Sequence, residues 1–130
     1  MYTVITLPPL PDNLKATKNF LSAIEKRVQS GAAICIYPEA HIWPYYTKIR
    51  PFKDTSFRYP VQYKTPVFTF TNTYRKRRFF RTPRMVTYVD GPFYPDGSLS
   101  AKQAKETLRN AAFEAMEKRS GNSDAEYIRY

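Results

Sequence analysis

Residues 34 to 53 read ICIYPEAHIWPYYTKIRPFK and gather the chain's rarest side chains. They hold Glu39, the sole histidine His41, the sole tryptophan Trp43, three tyrosines, and the cations Lys48, Arg50 and Lys53. A carboxylate and an imidazole two residues apart offer acid–base chemistry near neutral pH. A lysine or arginine offers a grip on phosphate, and arginine's planar fork makes that grip bidentate. The plainer readings stand beside these. His41 has no third partner nearby and reads first as a loop histidine packed on Trp43 or Tyr45. Glu39 reads first as a solvated carboxylate at a strand end.

A second stretch, 75-RKRRFFRTPR-84, sets Arg75, Lys76, Arg77 and Arg78 directly before Phe79 and Phe80. It belongs to a wider imbalance. The formal charge is +10, and between His41 and Val89 the only acid is Asp54. A segregated positive field attracts polyanions: nucleic acid, an anionic membrane surface, or phosphorylated small molecules. Charge alone does not choose among them, and a solvated turn is the plainest reading of the run.

Several elements must position these residues. The opening MYTVIT reads as a short strand ended by Pro8, Pro9 and Pro11, because proline cannot donate to a sheet ladder. Leu14, Phe20, Leu21, Ile24 and Val28 recur at helical spacing over 13–29, with Gly31 at the stop. The run 32-AAICIY-37 is too short for a helix and suits a strand buried on both faces. Residues 54–62 allow a turn or two of helix. Residues 66–74 alternate, with Phe68, Phe70 and Tyr74 on one face and Thr69, Thr71 and Thr73 on the other. Residues 85–89 read as another strand, broken by Asp90-Gly91-Pro92. Ser100 and Gln103 have the spacing of a capping box, and Leu108, Ala111, Ala112, Ala115 and Met116 follow as the apolar stripe of a helix ending near Gly121.

The order β-α-β-(α)-β-β-α predicts an α/β fold with a mostly parallel or mixed sheet flanked by helices. Residues 1–121 read as a single domain, and 122–130 as a flexible tail. In such sheets ligands bind beyond the carboxyl ends of the strands, where the Glu39 loop lies. The lone Cys35 excludes an intramolecular disulfide and reads as core filling. No stretch approaches the roughly 18 consecutive apolar residues of a membrane span. No metal-ligand cluster is expected.

The buried strand, then Tyr37-Pro38-Glu39, a basic loop with Phe52-Lys53, and Pro66-Val67 opening a strand together resemble the glycerophospholipid acyltransferase family, of the 1-acylglycerol-3-phosphate type. That family's third motif runs roughly Phe-Pro-Glu-Gly-Thr-Arg-Ser and falls on residues 37–43. Its fourth, a proline-rich strand start, falls on Thr65, Pro66 and Val67. The resemblance covers most of residues 14–74. It implies transfer of an acyl group from acyl-CoA or acyl-carrier protein, as co-substrate rather than cofactor, to a lysophospholipid or glycerol-phosphate acceptor.

The departures are specific. Ala40, His41 and Ile42 stand where the family has glycine, threonine and a phosphate-binding arginine, so phosphate binding does not transfer to residue 42. Pro38, Glu39 and His41 are then expected at the acceptor pocket, with Lys48, Arg50 and Lys53 supplying positive charge. The family's His-x-x-x-x-Asp, whose histidine acts as general base, is not present: five residues after His41 stands Tyr46. This chain therefore looks like the carboxyl-terminal portion of a larger acyltransferase domain and is expected to be inactive alone.

Trp43, Tyr45 and Tyr46 suit two roles equally, an acyl-chain or interfacial platform and a cap on the sheet end. Arg75, Lys76, Arg77, Arg78, Phe79 and Phe80 are expected to meet an anionic membrane surface, each cation contributing about 1 kcal/mol there. That sets the protein in the cytoplasm, peripheral at the inner face of the membrane, with a phosphorylated lipid acceptor and an acyl donor as partners. Apolar surface left bare by a partial domain is expected to self-associate or to border a large pocket near Ile34, Ile36 and Phe68. The competing class is a small basic nucleic-acid-binding module without catalysis.

Overall fold

Residues 5–6, 13–39 and 42–130 are described by a computed structural model of the chain. They divide into two units, residues 1–41 and 42–130.

The first unit follows a β-α-β course. Strands β1 (Ile5–Thr6) and β2 (Ile34–Cys35) pair in parallel, Ile5 opposite Ile34 and Thr6 opposite Cys35. Helix α1 (Leu14–Gln29) connects them. Asn13 starts it: its side-chain oxygen accepts the Ala16 N–H at 2.7 Å, satisfying a donor that the first turn leaves open. Lys26 and Arg27 occupy the last turn, where cations suit the helix dipole. Of the apolar stripe, Ile24 is buried and Phe20, Leu21 and Val28 are half-buried, whereas Leu14 is exposed. The strand expected over 32–37 is confined to two residues.

The second unit begins after residue 41. A 3₁₀ turn (Thr55–Phe57) runs into α2 (Arg58–Tyr63), then β3 (Val67–Arg75), β4 (Arg84–Phe93) and α3 (Ala101–Ser120). Its core is Phe52, Phe57, Leu108 and Ala112, with Ile49, Val61, Phe93, Phe113 and Met116 packed around them. The Phe52 ring lies 6.1 Å from Phe57 and edge-on to Phe113 at 5.5 Å. The predicted capping box opens α3: Ser100 Oγ accepts from the Gln103 N–H at 3.3 Å, and Gln103 Oε1 accepts from the Ser100 N–H at 3.4 Å.

Strands β3 and β4 form an antiparallel ribbon in which Phe70 faces Val89, Thr71 faces Tyr88 and Thr73 faces Val86. The alternation read along β3 is present, with the threonines inside. Thr69, Thr71 and Thr73 are at most 5% exposed, whereas Phe68 and Phe70 are exposed. Helix α3 packs on β3 and buries Ala104, Leu108 and Ala112. Small β-branched threonines suit both a pleated strand and close approach by an alanine-rich helix face.

Strand β4 also runs past the expected break. Asp90, Gly91 and Pro92 belong to it because Gly91 adopts φ +123° beside an irregularity opposite Val67–Thr69. A glycine takes that conformation at little cost.

The chain is thus a mixed α and β protein. Its described strands form one parallel and one antiparallel pair rather than one mostly parallel sheet. Residues 122–130, read as a tail, return to β3. The Asp124 and Ala125 N–H groups donate to Tyr74 O at 3.0 and 3.2 Å, and Ser123 Oγ accepts the Tyr74 N–H at 3.1 Å.

Candidate functional site

In the first unit the chain leaves β2 through Ile36 and Tyr37 and turns at Pro38-Glu39. Proline's fixed φ suits such a corner. Tyr37 is exposed, while Pro38 and Glu39 are half-buried, so the corner is neither sealed in a core nor fully solvated. Ile34, Cys35 and Ile36 are half-buried too. His41 lies outside the described residues.

The aromatic loop and its cations belong to the second unit. The Arg50 guanidinium sits 4.0 Å from the centroid of the Trp43 ring, a cation–π contact, and is half-buried. Trp43 also stacks on Tyr130 at 4.9 Å and meets Tyr46 edge-on at 5.1 Å. Tyr45 packs against Tyr127 at 4.7 Å and Tyr74 at 5.3 Å. The Tyr130 hydroxyl donates to Pro44 O at 2.8 Å. Burial pushes the Tyr74 phenol above its ordinary range. The C-terminal residues thus complete an aromatic cluster around the loop. Lys48 and Lys53 stand exposed, whereas Phe52 between them is core.

The link between β3 and β4 carries the basic run. Arg77 lies 4.7 Å from the Phe80 ring and Arg78 lies 5.3 Å from the Phe79 ring. Arg77 Nε donates to Thr82 O at 2.8 Å, which ties the turn to itself. Phe79 and Phe80 are 82% and 65% exposed. Arg75 is drawn away: it donates to Asn122 O at 2.7 Å and pairs with Asp124 at 3.3 Å. Lys76 keeps an exposed side chain while its backbone N–H donates to Asp124 Oδ1 at 2.6 Å.

Two open grooves flank β4. One of about 410 Å³ is lined by Asp90 to Phe93 with Ala115, Lys118 and Arg119. The other, about 240 Å³, runs along Phe93, Tyr94, Ala104 and Leu108. Neither is lined by the residues chosen from the sequence. The first holds a bidentate pair: Arg119 Nε and Nη2 donate to the Asp90 carboxylate at 2.9 and 2.8 Å. Those hydrogen bonds hold the Asp90 carboxyl below its usual range, and the Arg119 guanidinium also lies 4.8 Å from the Tyr88 ring. The pair fastens α3 to β4 and is structural in character.

The Asp90–Arg119 pair and the roles of Tyr127 and Tyr130 escape the sequence reading. Two tyrosines three residues apart at the chain end were the available signal for the latter. Among the described residues no three His, Cys, Asp or Glu side chains gather to hold a metal ion, and no helix is long and apolar enough to cross a membrane. Compared with protein-family models, curated proteins and solved structures, the chain matches none.

Proposed function

We propose that this chain is the acceptor-binding portion of a glycerophospholipid acyltransferase-type domain. In this reading the parallel pair β1 and β2 belongs to a larger, mostly parallel or mixed sheet. The observation that carries it is the Pro38-Glu39 turn, which directly follows β2 in a parallel β-α-β course. Ligands collect at the carboxyl ends of strands in such arrangements because side chains and backbone groups converge there. The aromatic-then-Pro-Glu order at that corner is what the family resemblance requires.

In this account the acceptor hydroxyl attacks the carbonyl carbon of an acyl thioester, forming an ester and releasing the thiol. Pro38, Glu39 and His41 border the acceptor, and Glu39 accepts hydrogen bonds from its hydroxyls. Within the second unit, Lys48, Arg50 and Lys53 supply cationic charge of a kind suited to phosphate. Arg50 already lies on Trp43, so the exposed Lys48 and Lys53 carry most of that task. No His-x-x-x-x-Asp stands in these 130 residues, so the general base is assigned to none of them. Lys76, Arg77, Arg78, Phe79 and Phe80 rest on the anionic inner face of the cytoplasmic membrane, where a lipid acceptor resides, while Arg75 is held by Asp124 and Asn122. The acyl donor is acyl-CoA or acyl-carrier protein.

Titrating the isotopically labelled chain with a short-chain lysophosphatidic acid tests the acceptor role. Amide shifts should cluster at 37–41. Shifts confined to 75–84 would argue for charge attraction without a pocket. A second reading, a nucleic-acid-binding module, draws on the exposed Phe79 and Phe80 beside arginines. Oligonucleotide binding that falls steeply with salt, without a response to the lysolipid, would favour it.

A further inference from the structure

Within the second unit, the ribbon of β3 and β4 has one face turned toward α3 and an opposite face that is largely exposed. On this face Phe70 stands opposite Val89, with Phe68 at the far end, and Met85 stands opposite Tyr74, whose ring packs against Tyr45. Phe68, Phe70, Met85 and Val89 are between 49% and 65% exposed. At its centre Thr87 Oγ1 donates to Asn72 Oδ1 at 2.7 Å, which links the two polar side chains of the face to each other. None of the side chains on this face is charged. At one end it adjoins the basic turn with Phe79 and Phe80.

We infer that this open face is a membrane-docking surface that lies flat on anionic lipid, with Phe68, Phe70, Met85 and Val89 toward the acyl chains and the basic turn in the headgroup layer. The inference rests on the membrane location proposed above and extends it from the turn to the whole ribbon. Charge complementarity selects the occupant. A second copy would bring another +10 toward the same region, which like-charge repulsion opposes. Single-stranded nucleic acid needs stacking rings with cations along the bases. Here the cations stand only at the end of the ribbon, and Met85 and Val89 offer no stacking face. An uncharged apolar slab bordered by cations matches an anionic bilayer surface, where apolar burial and attraction to headgroups add.

Sedimentation of the full chain with vesicles tests this, using phosphatidylcholine alone and phosphatidylcholine mixed with phosphatidylglycerol. The chain should partition onto the mixed vesicles. Phe70→Ser should lower partition about tenfold at low and high salt alike, since part-burial of one phenylalanyl side chain is worth on that order. Arg78→Glu should remove mainly the salt-sensitive share. If the serine variant misfolds, Phe70→Trp with brominated lipid gives an independent readout: emission beyond that of Trp43 should be quenched on the mixed vesicles. Unchanged partition of Phe70→Ser, together with no quenching of the added emission in Phe70→Trp, overturns the inference. So does a dimer by light scattering that Phe70→Ser converts to monomer, or oligonucleotide binding that the same substitution abolishes. Vesicle binding needs no acyl transfer, and a water-soluble acceptor needs no docking face, so this surface and the proposed chemistry fail separately.

Discussion

Replacing Thr71 by valine should make the protein more stable, and replacing Thr73 by valine should make it less so. Both side chains are buried on the α3 side of the ribbon, at 1% and 0% exposure. Thr73 Oγ1 donates to Val86 O at 2.9 Å, whereas Thr71 Oγ1 has no partner among the described residues. A buried hydroxyl without a partner costs about 1–3 kcal/mol, and a made hydrogen bond contributes about 1 kcal/mol. Valine has nearly the same shape as threonine, so the strand geometry and β propensity are kept. Thr71→Val should therefore gain about 1 kcal/mol and Thr73→Val lose about as much. Unfolding entropy of about 2.1 cal/mol/K per residue over 130 residues turns ~1 kcal/mol into a Tm shift of about 4 °C. Urea unfolding followed by circular dichroism reads the same quantity, with the slope expected to stay constant. A fall in stability for Thr71→Val equal to that of Thr73→Val would refute the reasoning, because it would mean that both hydroxyls are bonded.

Three further outcomes follow from local geometry. Gly91→Ala should cost about 3 kcal/mol, since a Cβ there would lie 2.8 Å from Val67 O at a φ of +123°. A midpoint within about 1 M urea of the parent contradicts it. Ser100→Ala should cost about 1 kcal/mol by opening the capping box of α3, measured in the same unfolding assay. Asp90 is held below its ordinary value of 3.8 in the folded state by Arg119, so its contribution is present above that pH and is lost as pH falls through the lower folded value. Asp90→Asn should flatten the decline of stability below about pH 4, and an unchanged acid profile would exclude the pair as its cause.

Local signals carried the elements well, and long-range partners decided the rest. The spacing of Phe20, Leu21, Ile24 and Val28 and the Ser100–Gln103 box gave α1 and α3 because both signals act within a turn of helix. The alternation of β3 was equally plain. Which face is inside depends on α3, distant along the chain, whose alanines accept threonines. The extension of β4 through Asp90-Gly91-Pro92 depends on Val67 across the ribbon. The C-terminal segment looked like a tail because its partners, Tyr74, Tyr45 and Trp43, are distant in sequence. For the site, the Pro38-Glu39 corner was legible as a turn after an apolar strand. That Arg50 would lie on Trp43 was not, since any nearby ring satisfies a guanidinium equally in sequence terms.

The central claim is the proposal that the Pro38-Glu39 corner holds the acceptor of an acyl transfer. Its most direct measurement joins the chain to an amino-terminal acyltransferase segment carrying His-x-x-x-x-Asp and follows acyl transfer from acyl-CoA to lysophosphatidic acid. The joined protein should transfer acyl groups, the chain alone should not, and Glu39→Ala should lower kcat/KM about tenfold or more, the cost of one lost hydrogen bond to a charged group. A joined protein that is folded and inactive, or one whose rate ignores Glu39→Ala, contradicts it.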